Sequence, residues 1–126
     1  AACQLVVAQR LARKNCKDCK VPDDDVNPKV LQDLGFSAEQ ATRVKAIKGK
    51  GCEKCKDTGY KGRQGIYEIL VVSKPLKEAI LRKATTPELR EIAIKEGFQT
   101  MQDMGRRLIA AGELNFREYE RVLSGD

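Results

Sequence analysis

Apolar residues along this chain recur mostly at three- and four-residue intervals, with one short run at a period of two. Leu5, Ala8, Leu11 and Ala12 fall on one face at helical spacing, which predicts a helix over residues 1–14 running into a first cysteine pair. Residues 20–27 (KVPDDDVN) read as loop. Pro28 is suited to open a short helix carrying Val30, Leu31 and Leu34, and Gly35 to stop it. Ser37 with Gln40 forms a capping box for a helix carrying Ala41, Val44 and Ile47 that ends near Gly49. The stretch from Gly49 to Gly65 holds five glycines and a second cysteine pair, so it reads as a loop or knuckle.

Residues 64–72 (QGIYEILVV) give the one good strand signal, being short, β-branched and partly aromatic. Four helices are expected after it. Ser73 caps one with Leu76, Ile80 and Leu81, and Thr86 before Pro87 opens another with Leu89, Ile92 and Ala93, stopped by Gly97. Thr100 and Asp103 open a third with Met101, Met104, Leu108 and Ile109, stopped by Gly112. Asn115 and Glu118 open the last, with Phe116, Tyr119, Val122 and Leu123. The fold class is thus mainly α with a small β element. Three segments are expected: residues 1–15 as the end of a core helix, 16–63 as a cysteine-bearing lobe with a helical insertion, and 64–126 as a short strand with a C-terminal helical subdomain.

Composition sharpens this picture. Only 5% of the 126 residues are aromatic and none is tryptophan, so the core is thin and a metal clip or cross-link would help it fold. The apolar stretch Ala1 to Ala8 is too short to span a bilayer. Leu5, Val6, Val7 and Leu11 look like the end of an already buried element, which favours a piece cut from a longer protein. The net charge of +6 falls entirely in residues 1–63, the half that holds every cysteine. Such an excess suits phosphate, nucleic acid or an acidic surface. It equally suits a metal site, because lysines and arginines lower thiol pKa values and offset the charge of metal-bound thiolates. Asp23-Asp24-Asp25 lacks the glycine-spaced pattern of a calcium loop and reads as solvated loop.

The chemistry lies in the cysteines. Cys16 and Cys19, then Cys52 and Cys55, give two C-x₂-C turns separated by 32 residues. Each turn sets two sulfurs on one side of a tight loop, so two turns supply four corners of a tetrahedron and leave no open position for water or substrate. That donor set defines a structural site and selects zinc or an iron–sulfur cluster over magnesium or calcium; zinc is the expected ion. Disulfides are disfavoured by the odd cysteine number, and a thioredoxin-like pair by the presence of two C-x₂-C turns. Cys3 is expected to be a small buried hydrophobe. With no histidine and no G-x-x-x-x-G-K-[ST] loop, the chain carries neither a histidine-based nucleophile system nor a nucleotide cradle, and is expected to be non-catalytic.

AQRLARKNCKDC (8–19) and GCEKCKDTGYKGRQGIYEIL (51–70) resemble the tetracysteine region of the ATPases that drive type II secretion and type IV pilus assembly. The match runs through Thr58, Gly59, Tyr60, Gly62, Arg63, Gly65, Ile66 and Glu68, then Gly97, Thr100, Met101, Glu118, Arg121 and Val122. The resemblance implies a fragment of an α/β P-loop ATPase: a cytoplasmic, hexameric motor peripheral to the inner membrane and docked on a platform protein. Its ATP and Mg²⁺ site would lie upstream of Ala1, and its four cysteines point to assembly or secretion rather than retraction. The basic residues Arg43, Lys45, Lys48, Lys50, Lys54 and Lys56 are then candidate contacts for the platform or for anionic lipid. Arg63, Tyr67 and Glu68 are candidates for packing between lobes or subunits, with an ordinary strand as the alternative. The rival function is a free-standing zinc ribbon that binds nucleic acid or acts as a protein adaptor. Stacking aromatics for nucleic acid are scarce, with Tyr60 alone near the second pair.

Overall fold

The computed structural model describes residues 3–124. The first element overturns the helical expectation for residues 1–14: Cys3–Asn15 is a strand, β1, paired with a second long strand, β4 (Tyr60–Val72). Its burial alternates from residue 8 onward. Ala8, Arg10, Ala12 and Lys14 turn inward, with Ala12 only 1% exposed, while Gln9, Leu11 and Arg13 face out and Leu11 is 52% exposed. Leu5, Ala8, Leu11 and Ala12 mimic a helical stripe, but the β-branched pair Val6-Val7 and the partner strand decide the backbone. Cys3, expected on a buried helical face, is therefore exposed near the start of a strand.

Two further expectations are corrected between the cysteine pairs. α1 (Pro28–Asp33) forms as anticipated, with Asn27 accepting from the Val30 amide as its cap. α2 (Ala38–Arg43) has the anticipated Ser37–Gln40 capping box but stops six residues before Gly49, because Val44 turns extended. Ile47 belongs instead to β3 (Ile47–Gly49), which pairs antiparallel with β2 (Lys20–Pro22) inside the presumed loop. The register sets Lys20 opposite Gly49 and Pro22 opposite Ile47. The two cysteine turns thus sit at the ends of paired strands, with the helical insertion returning the chain from one strand to the other.

After β4 come α3 (Lys74–Leu81), α4 (Thr86–Lys95), α5 (Met101–Ala110) and α6 (Phe116–Leu123). Ser73 and Asn115 cap as expected, and α4 opens at Thr86 as anticipated, with Thr85 as its cap. Among the described residues, no helix is long and apolar enough to cross a membrane.

The chain divides into two compact units. One holds β1 up to Gln9 together with Tyr67–Met101. In it α3 packs on α4, Leu76, Ala79 and Ala93 are buried, and an antiparallel bridge joins Ile69 to Gln99. The other unit holds Arg10–Ile66 and the chain from Gln102 onward, including both cysteine pairs, α6 and most of α5. Its core includes Ala12, Leu31, Ile66, Ile109, Leu114 and Tyr119. Within this unit the insertion is tied to the C-terminal helices. Arg106 Nη1 donates to the Leu34 carbonyl at the end of α1 (3.1 Å), and Asn15 Nδ2 donates to the carbonyls of Ile47 (3.2 Å) and Gly112 (3.0 Å).

Candidate metal centre

Four sulfurs from distant parts of the sequence meet in the second unit. The ligand atoms of Cys16, Cys19, Cys52 and Cys55 all lie within 4.8 Å of one another, with Cys16 and Cys55 buried and the other two half-buried. Cys16 Sγ is 3.8 Å from Cys52 Sγ, Cys19 Sγ is 3.9 Å from Cys55 Sγ, and Cys52 Sγ is 3.7 Å from Cys55 Sγ. A tetrahedron with metal–sulfur bonds of ~2.3 Å has edges of roughly 3.8 Å. These separations therefore fit a tetrahedral thiolate site. They are far too long for a disulfide, and all five cysteines are free.

The local backbone explains why the sulfurs converge. The amide of Cys16 donates to the Gly59 carbonyl (2.9 Å) and that of Lys50 to the Cys19 carbonyl (2.9 Å), so each pair is fixed against the segment carrying the other. The second turn is a single 3₁₀ turn, Glu53–Cys55, closed by Lys56 and Asp57 in the left-handed region (φ 56° and 61°). Thr58 Oγ1 donates to the Cys55 carbonyl (2.8 Å) and ends the turn.

Backbone N–H groups aim at two of the sulfurs. Cys55 Sγ accepts from the amides of Cys52 and Gly59, both at 3.2 Å, and Cys19 Sγ accepts from the Gly51 amide at 3.3 Å. Burial pushes the Cys55 thiol up, but the amides of Cys52 and Gly59 and the neighbouring sulfurs outweigh it and bring it down to about 6. Burial dominates at Cys19, and with the adjacent sulfurs it raises that thiol to about 11 against the Gly51 amide. Of these two thiols, Cys55 is the one the surroundings favour as thiolate. Such N–H···S donors stabilise thiolate, the protonation state that ligates metal.

The other candidates fall into separate environments. Arg43 pairs with Glu39 on its own helix, and Lys54 lies 3.9 Å from Asp18. Lys45 is exposed, as is Lys56. Lys48 and Lys50 line a 610 Å³ cleft with Asp23, Asp25, Tyr60 and Arg117, so opposite charges share its walls. Arg63 is exposed on β4, in a shallower hollow beside Arg13 and Tyr60. Tyr67 and Glu68, half-buried on the same strand, belong to the other unit. The four cysteines converge.

The sequence reading missed a set of residues that hold the strands on either side of the site. Glu118, on the first turn of α6, has a fully buried side chain. Its Oε2 accepts from the Arg13 backbone amide (2.7 Å) and from Arg121 Nη2 (2.5 Å), and its Oε1 from Arg13 Nη2 (2.9 Å). The Arg13 guanidinium lies 4.1 Å over the ring of Tyr60, whose hydroxyl accepts from Asn115 Nδ2 (3.0 Å). A glutamate three residues after an asparagine cap signalled the cap, but its long-range partners left no local signal.

The sequence places this four-cysteine chain in a family of secretion-system proteins. The profile of the family described as "Type II/IV secretion system protein" matches residues 1–121, and the chain belongs to that family. The type IV pilus assembly ATPase PilB of Thermus thermophilus is 40% identical over 100 residues, which cover 79% of this chain and 11% of that protein. The type IV pilus assembly ATPase PilB of Myxococcus xanthus is 34% identical over 94% of this chain and 21% of its own length. The type II secretion system protein HxcR of Pseudomonas aeruginosa is 32% identical over 93% of the chain and 21% of its own length. The chain thus spans about a tenth to a fifth of the length of these relatives.

Proposed function

We propose that this chain is the zinc-bearing C-terminal portion of a hexameric, cytoplasmic ATPase that powers type IV pilus assembly or type II protein secretion. The observation that carries the reading is four sulfurs at tetrahedral spacing in a chain of this family. Cys16, Cys19, Cys52 and Cys55 would hold the ion, and residues 16–63 form the lobe built around it. An all-thiolate, four-coordinate zinc leaves no position for substrate, so its contribution is structural: it supplies folding free energy and fixes the lobe. Nucleotide and Mg²⁺ chemistry belong to the parent protein upstream, which docks at the inner membrane on a platform protein. Type IV pilus relatives and type II secretion relatives both match across most of the chain, which supports the motor class without separating the two roles.

Elemental analysis of protein purified without added metal tests the site directly. One zinc per chain, lost in Cys16→Ser and Cys52→Ser, is the expected result. Iron with acid-labile sulfide, or no metal at all, would overturn it. For the docking role, charge reversal of Lys48 and Lys50 in the full-length motor should weaken its retention on the platform protein or on anionic vesicles. Unchanged retention on both would remove these lysines from the interface.

A further inference from the structure

We infer that the first turn of α6 is a clamp that positions the metal centre, with Glu118 and Asn115 acting as positioning residues for the two strands that carry the cysteine turns. The inference rests on the metal reading above and concerns what sets the geometry of that site.

Two observations carry it. Glu118 and Asn115 lie one helical turn apart and each takes hold of a different strand. Glu118 binds both the backbone amide and the side chain of Arg13, three residues before Cys16 on β1. Asn115 binds the hydroxyl of Tyr60, five residues after Cys55 at the start of β4. Arg13 then stacks on Tyr60, so the two held residues also hold each other. The link reaches the sulfurs through Gly59, which precedes Tyr60. Its carbonyl accepts from the Cys16 amide and its own amide donates to Cys55 Sγ. One side of the tetrahedron is thereby built on a backbone that α6 keeps in register.

The rest of α6 continues the same contact along β1. Arg10 Nη1 donates to the Val122 carbonyl (2.5 Å), and the Asn15 amide donates to the Glu113 carbonyl (2.9 Å) just ahead of the helix. A full carboxylate with no exposed side-chain surface is costly unless every lone pair is used, and here two arginines and a backbone amide use them. Caging a charge in this way makes the hold of α6 on Arg13 costly to break, because an uncompensated buried carboxylate would be left behind. Groups outside the ligand shell that orient ligands commonly change metal affinity by 10–100-fold when removed.

Zinc affinity of the 126-residue chain, measured by competition with a chromogenic chelator, is the test, with the absorption spectrum of the cobalt-substituted protein as a second readout. Glu118→Gln is expected to bind zinc about tenfold more weakly and to shift the thiolate–cobalt bands. Tyr60→Phe, which removes one hydroxyl and leaves the ring and its stacked arginine, is expected to show a smaller loss of the same sign and decides the matter if Glu118→Gln fails to fold. Ile109→Val trims a buried side chain in the core of the same unit and removes none of the clamp's hydrogen bonds. It is expected to lower the melting temperature while leaving zinc affinity and the cobalt spectrum unchanged. Parent-like affinity and spectra in Glu118→Gln and Tyr60→Phe would overturn the clamp, as would an affinity loss in Ile109→Val in proportion to its melting temperature. No metal in the parent chain would overturn the metal reading, and the clamp with it.

Discussion

Gly49 and Gly59 cross so closely that a Cβ placed on Gly49 would lie 2.0 Å from the Gly59 carbonyl oxygen. Gly49 ends β3 just before the second cysteine pair, and Gly59 follows that pair. The obstructing atoms are backbone, so no rotamer change can relieve the clash. That same Gly59 carbonyl accepts from the Cys16 amide, which ties the crossing to the first cysteine turn. The φ of Gly49 is not in the left-handed region, so Gly49→Ala is a test of space alone. This variant is expected to bind zinc at least about a hundredfold more weakly than the parent chain, roughly 3 kcal/mol or more. Isothermal titration against the parent chain would show it, and parent-like binding would mean the crossing loosens at little cost.

Chelation should divide the molecule by unit rather than along the sequence. Order in the second unit would draw on metal binding, because a site absent from the unfolded chain contributes its binding free energy to folding. That unit includes α6, at the far end of the sequence from the first cysteine pair. Amides of β2, β3 and α6 are therefore expected to lose hydrogen-exchange protection together when the metal is stripped. Those of α4 and of the Ile69–Gln99 bridge, in the other unit, should keep theirs. Loss confined to residues 16–63, with α6 still protected, would show that the helix holds its place without the site.

Local chemistry made much of this legible and long-range chemistry did not. The caps at Ser37, Ser73 and Asn115 and the stops at Gly35 and Gly97 act within a few residues of themselves, so sequence sufficed. The cysteine spacing likewise encoded the cluster, because each C-x₂-C turn is a local object. β1 was misread because its apolar residues satisfy a helical period, and only pairing with β4, more than forty residues away, settles the backbone. The end of α2 failed for the same reason: Ile47 continues a helical stripe but is taken into β3 by its pairing with Pro22. The roles of Gly49, Arg13 and Glu118 were not legible, since each acts through a partner distant in sequence.

The contact of α5 with α6 offers a test independent of metal. A Cβ on Gly105 would lie 2.4 Å from Leu123 Cδ1 and 2.8 Å from a ring carbon of Tyr119. Both side chains are buried, which leaves them little room to retreat. Alanine favours a helix interior over glycine by about 1 kcal/mol, but overpacking of a core costs typically 1–3 kcal/mol. The clash is expected to win, so Gly105→Ala should lower the thermal midpoint, and Gly105→Val should lower it further. A raised midpoint for Gly105→Ala would mean that Leu123 gives way freely and helix propensity dominates.

Acid should act on Glu118 in a narrow window. Burial pushes its carboxyl up, but Arg121 and Arg13, through side-chain and backbone hydrogen bonds, outweigh that and bring it to about 2, from an ordinary value of 4.5. A carboxyl whose folded value is depressed contributes stability that is fully present above its unfolded value and is lost as pH falls toward the folded one. The difference of about 2.5 units corresponds to at most about 3 kcal/mol, present above about pH 5 and lost between roughly pH 4.5 and 2. Acid also acts on the rest of the chain, so the measurement must be a difference. The gap in unfolding free energy between the parent chain and Glu118→Gln, both metal-free, is expected to be widest near neutral pH and to shrink steadily below about pH 4.5. A gap constant from pH 7 down to 3 would mean that Glu118 acts through shape and hydrogen-bond count, with its charge contributing nothing.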